Sequence, residues 1–141
     1  MFETILTIYI FISMSLIAKI HIYWMKGGLW PGVNTQDLID KVIGKGNKFP
    51  NTYECLFVIV IFVIMALFPL LVYLKVEIGL NDIYTKYIFL FFSAIFFLRA
   101  ITIFMTFLEK KATPIFVTLN KKYYAPLCFS LSFAYLGLYL T

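Results

Sequence analysis

Charged residues are scarce in this sequence. Only 13% of its 141 residues are Asp, Glu, Lys or Arg, whereas a typical soluble domain has about 25%. A soluble fold needs polar faces to cover its core, and the apolar segments here have no polar helices to cover them. The low charge content therefore argues against an ordinary soluble domain.

Residues that bind metals or form disulfides are also few. There is one histidine, and the two cysteines, Cys55 and Cys128, form neither a C-x-x-C pair nor a metal-ligand spacing. The carboxylates form no tight cluster. We therefore expect no metal site and no cofactor. In the simplest interpretation both cysteines are small buried apolar residues.

Long apolar runs, in contrast, take up most of the chain. Hydrophobic residues make up 62% of the sequence. Four runs come close to or exceed the ~20 helical residues that cross a hydrocarbon core. We expect them as spans at about residues 5–25, 55–74, 87–107 and 124–140. The first run lacks a basic segment before it and is long for a signal sequence, so we expect it to be retained. The sequence predicts an all-α membrane protein, a four-transmembrane-helix bundle forming a single domain over residues 1–141.

The loop at residues 26–53 carries the signals of a short helix. Asn34 is a favourable N-cap, and Asp37 follows at the third helical position. Apolar residues at positions 38, 39 and 42 can share one face. We predict a short amphipathic helix that lies along the membrane surface, with a solvated linker as the alternative.

The distribution of lysines predicts an orientation. Eight lysines lie in the loops between spans one and two and between spans three and four, and two lie in the loop between spans two and three. The positive-inside rule then places the first and third loops in the cytoplasm and both termini outside. Topology and anionic headgroups also account for the net charge of +5, so we expect no nucleic-acid partner.

With this topology, polar side chains from all four spans reach one level near the cytoplasmic face. An arginine inside a span usually faces the bundle or a water-filled cavity and has a partner. Glu54 is the carboxylate best placed to pair with Arg99; a phenol, a backbone carbonyl, a lipid phosphate or snorkelling to the headgroups are alternatives. The candidate ligand-binding residues are Lys19, His21, Tyr23, Trp24, Glu54, Arg99, Tyr124 and Cys128. We expect His21, Arg99 and Tyr124 to form one site, with a neutral imidazole.

Three short motifs occur in order along the chain. They are H-x-Y-W-x-x-G-G at residues 21–28, L-R-A-I at 98–101 and Y-x-P-L-C at 124–128. Together they resemble a family of small bacterial four-helix membrane proteins catalogued as a domain of unknown function. The resemblance implies the fold, the location of a site and the bacterial cytoplasmic membrane. In the family pattern a Gly-Asp pair follows the arginine motif and a Trp-Asp pair precedes the last span. Thr102-Ile103 and Leu119-Asn120 stand at those places here.

The polar layer favours a small binding or accessory protein. Arg99 and Lys19 would supply positive charge, and His21 and Tyr124 would supply directional hydrogen bonds. Trp24 would add an apolar wall. We expect the partner to be the lipid bilayer and an anionic amphiphile or lipid within it, or a helix of another membrane protein. The oligomeric state stays open.

The alternative is a membrane-embedded enzyme that acts on a lipid-like substrate. His21 would then act as general acid or base, and Arg99 would stabilise developing negative charge. Cys128 would be a nucleophile or a bystander. The residues near His21 provide no clear carboxylate partner, which weakens this alternative.

Overall fold

Four long apolar helices dominate the structure, a computed structural model that describes residues 1–105 and 110–141. They are α1 (Phe2–Met25), α3 (Thr52–Tyr73), α4 (Asp82–Ile101) and α6 (Ala125–Leu140), with the shorter α2 (Thr35–Val42) and α5 (Pro114–Leu119) between them. Helix α4 continues into a 3₁₀ turn at Thr102–Phe104. Helix α5 continues through a π-helical segment, Asn120–Tyr124, into α6. Four continuous helical stretches, Phe2–Met25, Thr52–Tyr73, Asp82–Phe104 and Pro114–Leu140, are long and apolar enough to cross a membrane, which confirms the predicted fold class. The end of the predicted third span, at residues 106 and 107, lies outside the described residues.

Asparagine side chains begin three of these helices. Asn34, Asn51 and Asn81 each accept a hydrogen bond from the backbone N–H three residues later, at 2.9, 2.9 and 3.0 Å. At α3 the Glu54 carboxylate accepts a hydrogen bond from the Asn51 N–H at 2.8 Å, which completes a capping box. These polar caps lengthen α3 and α4 at their N-terminal ends, so both helices begin a few residues before the predicted apolar spans.

The long helices pack mainly in two pairs. Helix α1 lies along α3, α4 lies along α6, and α1 also packs against α6. Ile10, Met14, Leu131 and Tyr135 are completely buried where the helices meet. The Tyr135 hydroxyl donates to the Met65 carbonyl at 2.8 Å, which joins α6 to α3. A buried hydroxyl needs such a partner because the interior offers no water.

Two serines join α4 to α6. The Ser93 hydroxyl donates to the Ser132 carbonyl at 2.9 Å, and the Ser132 hydroxyl donates to the Ser93 carbonyl at 3.0 Å. Both residues are buried. Small residues at a helix interface allow close approach, and their hydroxyls bond across it. This reciprocal pair fixes α4 against α6 six residues before Arg99.

Helix α2 has the predicted cap and an apolar face. Leu38 and Ile39 on this face are only 2% and 1% exposed. Helix α2 contacts α5, so the protein itself covers part of this face. The loop that contains α2 therefore forms part of the folded structure around the candidate site.

Candidate ligand-binding site

Arg99 lies in the last turn of α4 and is held by two side chains. Its Nη1 atom donates to Thr102 Oγ1 at 3.0 Å and to Asn120 Oδ1 at 3.1 Å. Thr102 comes from the 3₁₀ turn after α4, and the buried Asn120 comes from the π-helical segment before α6. The Phe116 ring lies 6.0 Å from the guanidinium carbon, within range of a cation–π contact. A residue that follows α4 and a residue that precedes α6 thus position the arginine.

Arg99 lines a cavity of about 350 Å³. Its described lining has three cationic residues, Lys45, Arg99 and Lys111, and no Asp or Glu. Val42, Ile43 and Phe116 form much of the apolar wall. We call this space the Arg99 cavity. Positive charge concentrated beside apolar surface suits a ligand with an anionic group and an apolar body.

The end of α2 and the residues after it line one side of the Arg99 cavity. Hydrogen bonds to their backbone carbonyls hold this segment in place. The last carbonyls of a helix lack partners within the helix and need other donors. The Tyr124 hydroxyl donates to the Lys41 carbonyl at 3.0 Å. Thr113 donates through its hydroxyl to the Asp40 carbonyl and through its N–H to the Gly44 carbonyl. Residues on both sides of α5 therefore dock α2 onto the bundle.

Gly44 allows this docking at close range. It has a φ of +80°, which favours glycine. A Cβ atom at this position would lie 2.4 Å from Cγ of Phe116. The same phenylalanine lies beside Arg99 and Tyr124, with ring centroids 6.0 Å apart in the tyrosine pair. The absence of a side chain at Gly44 thus lets the α2 loop approach the Arg99 cavity.

His21 lines a second cavity of about 400 Å³, which we call the His21 cavity. The His21 Nδ1 atom lies 2.8 Å from the Ile17 carbonyl. A carbonyl only accepts, so Nδ1 carries the proton. Trp24 and Phe62 make edge contacts with the imidazole, each with ring centroids 5.0 Å apart. Val42 and Ile43 line this cavity as well as the Arg99 cavity, so the two spaces are neighbours with a common wall.

The three residues expected to form one site are therefore not all in one cavity. Arg99 and Tyr124 both lie beside the Phe116 ring. His21 lies in the His21 cavity, on the far side of Val42 and Ile43. The hydrogen bonds between described residues do not join His21 to Arg99 directly. That the three residues act on one ligand stays a prediction.

Lys19 and Tyr23 line a separate open groove between α1 and α6, together with Trp30 and Leu127. The Tyr23 hydroxyl accepts from the Trp30 N–H at 3.4 Å, and the indole N–H of Trp24 donates to the Trp30 carbonyl at 2.7 Å. These bonds tie the start of the first loop to the end of α1. Tyr23 and Trp24 therefore have structural partners in addition to any contact with a ligand.

Glu54 and Cys128 also have clear surroundings. Glu54 closes the capping box of α3 and lines the His21 cavity, so it is not the hydrogen-bond partner that Arg99 finds among the described residues. Cys128 is half-buried against the hydrophobic core of the bundle. This matches the simplest interpretation of that cysteine.

Sequence reasoning missed Thr102 and Asn120 as the partners of Arg99. Both are neutral, and Asn120 lies 21 residues further along the chain. The one signal in the sequence was that these residues stand where the chain departs from the pattern of the family it resembles. An uncharged amide and a hydroxyl orient the guanidinium without neutralising it, so the positive charge stays available to a ligand.

The fold and the cavities define a multi-pass membrane protein with a cationic cavity at one end of its helical bundle. A family described as protein of unknown function (DUF3995) matches residues 14–135, and the chain belongs to it. The expected membership of a family of unknown function is thereby confirmed. The search of curated proteins and the search of solved structures found no match.

Proposed function

We propose that this protein is a binding protein of the bacterial cytoplasmic membrane that holds the phosphate-bearing headgroup of an amphiphile in the Arg99 cavity. The carrying observation is the guanidinium of Arg99, which Thr102 and Asn120 orient inside a cavity with two lysines. Arginine binds phosphate with its planar fork of N–H donors. The apolar wall of the cavity supports a ligand with acyl chains.

The donors of Arg99 support this role. Both of its side-chain hydrogen bonds to described residues start from Nη1. The Nη2 and Nε groups make no hydrogen bond with a described residue, so they can donate to a ligand; the guanidinium has five N–H donors in all. Such a charge-assisted bond contributes about 1.5–3 kcal/mol. Because Arg99 is only half-buried, we use the lower end, which corresponds to about tenfold in affinity.

Lipid retention tests the proposal. We would reconstitute the protein with phosphatidylglycerol or with diacylglycerol of the same acyl chains, and measure bound lipid by native mass spectrometry. Arg99→Gln should lower the retention of phosphatidylglycerol about tenfold and leave diacylglycerol unchanged. Lys86→Gln, which removes an exposed positive charge at the other end of α4, is the control. Equal phosphatidylglycerol retention in all three proteins would refute the proposal.

A lipid phosphate and free inorganic phosphate share the same recognition chemistry. Excess inorganic phosphate during the exchange separates them. A lipid ligand also gains from its buried chains, so its retention should fall little when phosphate is added. Complete displacement by phosphate would show that the cavity recognises the free anion instead.

The orientation is part of the proposal, because it puts the Arg99 cavity on the cytoplasmic side. In a variant that lacks Cys55 and Cys128, a cysteine introduced at Asp82 should react with an impermeant thiol reagent in whole cells. A cysteine introduced at Lys45 should not. The reverse pattern would show the opposite topology.

A further inference from the structure

The His21 cavity has side-chain donors that are already used. Three of its described lining residues carry a side-chain N–H or S–H, namely His21, Trp24 and Cys55. Each donates to a backbone carbonyl. His21 donates to that of Ile17 at 2.8 Å, Trp24 to that of Trp30 at 2.7 Å, and Cys55 to that of Pro50 at 3.7 Å. The cavity therefore has little left to offer to a ligand that accepts hydrogen bonds.

The acceptors of the same cavity are not used up. With the proton on Nδ1, the neutral imidazole of His21 presents Nε2 as an acceptor, and Nε2 makes no hydrogen bond with a described residue. Glu54 accepts the Asn51 N–H through Oε2, and its Oε1 atom makes no such bond within the described residues. Glu54 is also the only charged residue of the described lining. A ligand group that suits this cavity donates hydrogen bonds and carries positive charge.

The two neighbouring cavities thus have opposite character. The Arg99 cavity has three cationic residues, and Arg99 itself keeps donors that bond to no described residue. The His21 cavity has a carboxylate and acceptors that bond to no described residue. The aromatic rings of Trp24 and Phe49, with centroids 6.3 Å apart, add surfaces that attract a cation. Only the wall of Val42 and Ile43 is common to both. Two adjacent spaces of opposite character suit a ligand whose headgroup carries both a negative and a positive charge.

We propose that the His21 cavity binds the primary ammonium group of a zwitterionic amphiphile whose phosphate occupies the Arg99 cavity. The ligand class is then an aminophospholipid. His21 Nε2 and Glu54 Oε1 accept N–H bonds from the ammonium group, and Trp24 and Phe49 face its positive charge. This inference rests on the proposed function and adds a binding site for the ammonium group of the headgroup.

A competition between two lipids tests the inference. Phosphatidylethanolamine and phosphatidylcholine with the same acyl chains carry the same phosphate and the same positive charge, but only the first has ammonium N–H groups. We would reconstitute the protein with an equal mixture and measure the ratio of the two bound lipids by native mass spectrometry. The wild-type protein should favour phosphatidylethanolamine about tenfold, the value for one charge-assisted bond.

Variants assign the preference to the cavity. Glu54→Gln keeps the capping bond to Asn51 but removes the charge, and His21→Phe removes the acceptor but keeps a ring. Both should bring the ratio close to one. Tyr53→Phe, a change at an exposed neighbour of Glu54, should leave it unchanged. Equal binding of the two lipids by the wild-type protein, or a preference that survives both cavity variants, would overturn the inference.

Arg99→Gln separates this inference from the proposed function. It should lower the retention of both lipids equally and leave their ratio unchanged. If retention is unaffected by Arg99→Gln, the proposed function fails, whatever the ratio shows. A second measurement covers the case that a variant does not fold. His21 is the only histidine, so in wild-type protein labelled with ¹⁵N-histidine the Nε2 signal should shift with phosphatidylethanolamine and not with phosphatidylcholine. The absence of such a difference would contradict the inference independently.

Discussion

Gly44 and Gly46 form a matched pair that tests the docking of α2 over the Arg99 cavity. Both have a left-handed backbone, with φ of +80° and +81°. Alanine at either position meets the same backbone strain, about 1–2 kcal/mol. The difference lies in the surroundings. A Cβ at Gly44 would lie 2.4 Å from Cγ of Phe116, whereas a Cβ at Gly46 would have no described atom within 4 Å.

The extra cost at Gly44 follows from this contact. Cβ of Phe116 would also lie within 2.8 Å, so the clash involves the base of the side chain and cannot be relieved by turning the ring alone. Overpacking of this kind costs about 1–3 kcal/mol. The strain and the loss of glycine flexibility in the unfolded chain are common to both variants and cancel in the comparison. Gly44→Ala should therefore destabilise the docked loop by about 1–3 kcal/mol more than Gly46→Ala.

Hydrogen exchange measures this difference locally. The backbone amides of α2 should exchange about five to 160 times faster in Gly44→Ala than in Gly46→Ala. Amides in the middle of α1 and α6 serve as the internal control and should be equally protected in both. Equal exchange of α2 in the two variants would show that the close contact between Gly44 and Phe116 does not hold the loop in place.

Three further perturbations test other parts of the structure. Tyr124→Phe removes the hydrogen-bond donor to the Lys41 carbonyl at the end of α2. It should lower the local stability of α2 by about 1 kcal/mol, seen as roughly fivefold faster amide exchange. The control variant Tyr123→Phe, at an exposed tyrosine, should have no effect. Alanine at Ser93 and Ser132 should show a coupling energy of about 0.6–1.7 kcal/mol in a double-mutant cycle of unfolding, and strict additivity would contradict the reciprocal bonds. The hydrogen bond from Lys41 holds the pKa of the Asp37 carboxyl below its usual value. The ionised carboxylate should therefore stabilise α2 above about pH 4, and this stabilisation should be lost as the pH falls further and the carboxylate takes up a proton. Asp37→Asn should remove that pH dependence of exchange in α2.

The four long helices could be predicted because the constraint is simple. Backbone groups in hydrocarbon must be paired within the segment, so an apolar run of about 20 residues has essentially one solution. Helix α2 could be predicted because a cap is a local device. Asn34 and Asp37 lie three residues apart, and their bond forms as expected. Both signals depend on residues that are close in the sequence.

The partners of Arg99 could not be predicted in the same way. Its opposite charge made Glu54 the expected partner. The Glu54 carboxylate instead accepts a hydrogen bond from the nearby Asn51 N–H in the capping box of α3. Asn120 carries no charge and contacts Arg99 from the π-helical segment before α6. Its role depends on how two distant segments meet. The pattern N-x-x-E before an apolar run could have indicated the structural use of Glu54.

Tyr124 illustrates the same limit. Its position at the start of the last span predicted a hydrogen-bonding role in the ligand site. Its hydroxyl donates to the Lys41 carbonyl, 83 residues away in sequence. That bond depends on the docking of a loop whose position the hydropathy of the spans does not determine. A direct contact between Tyr124 and a ligand therefore stays a prediction.

The central claim, that Arg99 holds the phosphate of a lipid headgroup, can be measured directly because Arg99 is the only arginine in the chain. Labelling with ¹⁵N-arginine gives side-chain signals from this residue alone. Solid-state NMR of the protein with bound phosphatidylethanolamine should show dipolar dephasing of the guanidinium nitrogens by lipid ³¹P, and the effect should disappear when diacylglycerol replaces the phospholipid. Guanidinium signals that show no dephasing while the phospholipid is bound would contradict the assignment of the Arg99 cavity.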